Sequence, residues 1–169
     1  MKMTELFLAE LDREASRSRR ALEHVPEGKG EWKPHDRSMA FAPLVQMVAA
    51  MPSWIGLIVN QDELDIAPKD GPQHKPAPMN TSAELIKGLE TAVADARAAL
   101  TATTDAHLMT PWRLLAGGQI VMEAPRYVML RDTINHLAHH RGQMTVYLRL
   151  MGATVPALYG PSADDQRFM

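Results

Sequence analysis

The chain has 169 residues, 46% of them apolar and 22% charged, with a net charge of −2 and no cysteine. That length suits one domain spanning residues 1–169 around a single core. The missing cysteines exclude disulfides, thiolate zinc sites and a cysteine nucleophile, and the balanced charge leaves no electrostatic footprint for nucleic acid or an anionic membrane surface.

No apolar run reaches the ~20 residues of a membrane-spanning helix, and the N-terminus lacks a signal-peptide core. The expectation is therefore a cytoplasmic protein with no membrane partner. The twelve methionines read as core gap-fillers at helical spacing rather than as ligands.

Residues 4–25 predict an amphipathic helix, with Leu8, Leu11, Ala15, Ser18 and Leu22 on its inner stripe. Its arginines, Arg13, Arg17, Arg19 and Arg20, are offset by acids and read as a solvated face. Pro26 and Gly28 end it. In the connection 27–38, Trp32 is expected to fold back over the helix ends.

A second helix is predicted over 40–60, with Leu44, Met47, Val48, Met51, Ile55 and Ile58 as its seam. Pro52 removes one backbone bond and should kink it. Residues 61–80, with four prolines and His74, predict a long irregular connection. A third helix starts at the capping box Thr81-Ser82-Ala83-Glu84 and ends near 101–104. Residues 112–116 and 119–123 flank Gly117-Gly118 and predict a β-hairpin. Such a hairpin is stable only when it lies against other elements. Pro125 opens a last helix that runs to about Met151, with Gly152 as its stop.

The chemistry concentrates in that last helix, at Asn135-His136-Leu137-Ala138-His139-His140-Arg141-Gly142-Gln143. His136 and His140 are four residues apart, which stacks two imidazoles on one helix face. That spacing presents two ligands to one metal ion, and it also suits two hydrogen-bonded core histidines. Both sit on a stripe with Met129, Thr133, Met144 and Tyr147 and are expected to face inward. His139 lies about 100° off that stripe. Arg141 is expected to pair with Glu123 or Asp164.

With Trp32-Lys33-Pro34-His35, the helix 44–54 and Tyr159-Gly160-Pro161-Ser162-Ala163-Asp164, this segment resembles the DinB-like family over nearly the whole chain. The resemblance implies an all-α fold, a four-helix bundle with a long connection between helices 2 and 3 and a small β-hairpin before the last helix. It also implies homodimers and a core site for nickel or zinc held by three histidines. Two of those match His136 and His140. The third matches Met47, in Leu44-Val45-Gln46-Met47-Val48-Ala49-Ala50-Met51-Pro52-Ser53-Trp54.

A methionine thioether is a poor ligand for zinc or nickel. Asp132, one turn before His136, is the candidate substitute ligand or hydrogen-bond acceptor for an imidazole. His35 is a remoter candidate, and Gln46 points away around the helix. Two functions follow. One is a metal-dependent hydrolase or thiol transferase. The other is a non-catalytic bundle that binds a small molecule, in a cavity among Met47, Met51, Met129 and Met144, or serves as a dimer building block. Nucleic-acid binding, suggested by the family's name alone, is opposed by the net charge.

Overall fold

Capping and amphipathic periodicity set the helices, and the computed structural model describes them for residues 1–69 and 78–168. In chain order the elements are α1 (Met3–Leu22), α2 (Phe41–Ala50), α3 (Ser53–Asn60), β1 (Glu63–Asp65), α4 (Ser82–Ala102), α5 (Asp105–Leu108), β2 (Pro111–Ala116), β3 (Gln119–Pro125) and α6 (Arg126–Leu150). The fold is mostly helical, with a small three-stranded sheet. Helix α1 packs on α4 and α6, and α2 and α3 pack on the same two helices.

Pro52 acts as its sequence position predicts. The predicted second helix breaks there into α2 and α3, bent by 52°. No single helix among the described residues is long and apolar enough to cross a membrane. The apolar character of the bent pair is core character, since Leu44, Val48, Met51, Ile55 and Ile58 are all buried.

The capping box forms: Thr81 Oγ1 accepts from the Glu84 N–H at 3.2 Å, and Glu84 Oε2 accepts from the Thr81 N–H at 3.1 Å. Gly152 ends α6 at φ +77°. Trp32 meets Tyr147 edge-on at 5.4 Å between ring centroids.

The hairpin forms around Gly117 and Gly118, at φ +61° and +79°, where glycine adopts a left-handed turn without a Cβ clash. Pairing runs Pro111↔Pro125 to Ala116↔Gln119. The sheet has a third strand that the sequence reading missed: β1 pairs parallel with β2 within what was expected to be an irregular connection. Asp65 locks the join, accepting the N–H groups of Gly117 at 3.0 Å and Gly118 at 2.7 Å. Residues 70–77, including His74, lie outside the described residues. Buried Arg126, at the start of α6, ties the sheet to α3. It donates to the carbonyls of Ile58, Gln61 and Pro111, to Thr110 Oγ1 and to Asp62.

The inner stripe of α1 differs from the expected one. It runs Phe7, Leu11, Glu14, Ser18, Ala21 and Leu22, so a carboxylate occupies a core position, and Arg17 is buried beside it. The supposed solvated arginine face is therefore partly interior.

Candidate functional site

Along α6, neighbouring residues face different surroundings. His140 is buried at 7% exposure, whereas His136 is exposed. The expected shared inward face thus holds for His140 only, and His136 stands at the rim. Their Nε2 atoms meet at 2.8 Å, with ring centroids 4.5 Å apart. His140 Nδ1 lies 2.9 Å from Gln143 Oε1. An amide oxygen only accepts, so His140 carries its proton on Nδ1 and accepts at Nε2. His136 then donates from Nε2 and keeps a lone pair on Nδ1. Burial, then the neighbouring His140 and His139, hold the His136 pKa below the ordinary histidine value and favour its neutral form.

His136 also meets Trp54 edge-on at 5.9 Å, and there a pocket of about 310 Å³ opens. Its walls come from every element that converges there: Trp54, Leu57 and Ile58 of α3, Leu64 of β1, Trp112 and Leu114 of β2, Met122 of β3, and Met129 of α6. Asp132, Thr133 and His136 of α6 complete it, and Ile66, just past β1, closes one side. Thr133 is spoken for, because its hydroxyl donates to the Met129 carbonyl at 2.9 Å. Trp112 is 2% exposed, and among the described residues its indole N–H has no partner.

This cavity differs from the methionine-lined one expected from sequence. Met51 and Met144 are fully buried in the core, and Met47 packs against that same core. Only Met129 of the four lines the pocket. The sheet supplies the outer wall, which helical periodicity does not reveal. The aromatic residues at 54 and 112 were the available sequence signal.

Arg141 belongs to another site. It pairs with Glu14, donates to Ser18 Oγ at 3.0 Å and to the Glu14 carbonyl at 3.1 Å, and contacts Tyr159 Oη. Its expected partners are engaged elsewhere, Glu123 with Arg113 and Asp164 with Arg149. His35 is exposed, and its Nδ1 accepts from the Arg37 N–H in its own loop. Gln46 donates to the Met79 carbonyl. His139 is exposed and meets the His140 ring edge-on.

The sequence matches the DinB family over residues 1–167. The chain belongs to the DinB family. Among solved structures, a DinB-like protein from Bacillus cereus superposes with a TM-score of 0.69 at 21% identity, covering 92% of this chain and 97% of that one. A DinB-like protein from Bacillus subtilis, YjoA, superposes at 0.65 and 17% identity, covering 96% and 99%. The uncharacterized Bacillus subtilis protein YrdA is 46% identical over 46 residues, a match spanning 27% of this chain and 28% of that protein. The structural likeness establishes the DinB fold.

The ligand set for the family's implied metal is incomplete in this DinB chain. Two imidazoles converge, and Gln143 orients His140 with Nε2 available, as a ligand's outer contact does. No group of three histidine, cysteine, aspartate or glutamate side chains suited to a metal ion occurs among the described residues. A catalytic zinc needs three protein ligands, and Met47 supplies no substitute of comparable strength. With the donors present, the residues do not fit that metal, and no chemical step is assigned to it.

Proposed function

We propose that this chain binds a compact apolar or aromatic small molecule in the pocket beside His136. The single supporting observation is the pocket itself: an open cavity of about 310 Å³ walled by two tryptophans and aliphatic side chains, with a carboxylate, a hydroxyl and an imidazole gathered on one helix. Small-molecule sites have this composition. In this reading the helices form a four-helix bundle that serves as the rigid scaffold, and α3, the sheet and α6 shape the cavity.

Calorimetric titration with naphthylmethanol tests the reading. Saturable binding is expected, weakened about tenfold by Trp54→Ala, which removes one aromatic wall. Absence of binding to the parent chain overturns it.

The converging Nε2 atoms support a second reading, the metal-dependent hydrolase or thiol transferase implied by the family. It requires a third ligand. Nickel titration of the parent and of Met47→His separates the two. Weak, substoichiometric binding by the parent, with a clear gain in the variant, supports a histidine pair whose third-ligand position holds methionine. Stoichiometric nickel on the parent favours the enzyme.

A further inference from the structure

The pocket's polar groups carry a sign, and from it we infer that the ligand is an apolar amine, a hydrophobic body with one cationic nitrogen at its end. This rests on the small-molecule reading above and specifies its chemistry. Among the described residues that line the cavity, Asp132 is the one carboxylate, and there is no lysine or arginine. Asp132 is exposed, and no ion pair or hydrogen bond to it occurs among the described residues. It differs in this from the acids that tie segments of the fold together. Glu14, Asp62, Asp65, Glu84, Asp105, Glu123, Asp164 and Asp165 all hold a backbone amide or an arginine.

The neighbouring groups point the same way. His136 gives its Nε2 proton to His140, so its free ring nitrogen is an acceptor. The Thr133 hydroxyl proton is committed to Met129. Among the described residues the site thus offers one negative charge, an imidazole acceptor and the unpartnered Trp112 indole N–H, with no lysine or arginine to receive an acid. A carboxylate ligand would place like charge beside Asp132, whereas an ammonium would find a counter-charge there. The tryptophan faces accept an apolar body, and Trp54 beside His136 can also stack under a cation.

Three probes of one shape decide it: naphthylmethylamine, naphthylmethanol and naphthoate, titrated calorimetrically into the full chain at low salt. The amine is expected to bind about fivefold more tightly than the alcohol, the scale of a solvent-exposed ion pair, and the acid more weakly than either. Added salt should narrow the gap. In Asp132→Asn the amine's advantage over the alcohol should disappear.

Equal affinities, or tightest binding by the acid, overturn the assignment while leaving the pocket intact. So does an amine preference that survives Asp132→Asn. Failure of the alcohol itself sinks the small-molecule reading instead, so the two failures are distinguishable. Asp132 is exposed on a helix surface, so unfolding of the variant is not expected.

Discussion

Two adjacent residues of α6, His140 and Arg141, open onto two regions of opposite character. On the Arg141 side every polar group is answered. Glu14 receives Arg141, Arg17 and the Tyr159 hydroxyl. The C-terminal segment is strapped across the cluster, with Arg17 Nε donating to the Leu158 carbonyl at 3.2 Å and the Arg17 guanidinium stacked 4.1 Å over the Tyr159 ring. On the His140 side, one and two turns of helix away, acceptors are left over: a His136 nitrogen and the Asp132 carboxylate, beside an open cavity. Saturated polar groups hold a fold in one arrangement. Unsaturated ones at a cavity rim have capacity for a ligand.

The largest test of that contrast is Glu14→Ala. It strips the counter-charge from two buried guanidinium groups, and breaking such a pair costs about 3–5 kcal/mol. Thermal unfolding should shift down on the order of 10 °C for a chain of this size. A shift near zero would show that water reaches the cluster and that its burial is overstated.

Acid gives the next largest effect. Burial alone would raise the Glu14 pKa, but the hydrogen bonds and charges of Arg141, with Arg17 and Tyr159, outweigh it and leave the pKa below the ordinary carboxylate value. A group whose folded pKa is depressed stabilises the fold fully above its unfolded value, here about 4.5. That contribution is lost as pH falls through the folded pKa. Stability should therefore decline below about pH 4.5, and urea midpoints measured across pH should show a shallower acid limb in Glu14→Gln. Other depressed acids, Asp65 and Asp105 among them, will keep part of the slope.

The smallest effect belongs to the other region. His136→Ala removes an exposed ring whose hydrogen-bond partner among the described residues, His140, also holds Gln143. Its cost should stay within about 1 kcal/mol, by chemical denaturation. A loss comparable to that of Glu14→Ala would make the dyad a structural device and end the comparison.

Much of the helical frame was legible in the chain. Pro52, the Thr81–Glu84 capping box, Pro125 and Gly152 mark boundaries through local backbone chemistry, which the sequence states directly. The His136–His140 pairing was equally local, since a four-residue step stacks side chains on any helix. The Glu14 position could have been read as well, because it falls on the three- and four-residue steps through Leu11 and Ser18. A carboxylate in a core stripe looks like a surface residue until its partners are known.

Tertiary structure alone decided the rest. Strand β1 is three residues long and exists because β2 lies beside it. The partners of Arg141 lie 127, 123 and 18 residues away in sequence, and no local pattern specifies such distances. Whether His136 faces the core or the rim depended on what α3 and the sheet leave uncovered. By itself the sequence determined helices, turns and the spacing of two imidazoles, because those follow from contacts within a few residues. Only the fold determined which of those groups are saturated and which stand open to a ligand, because saturation depends on what distant segments bring.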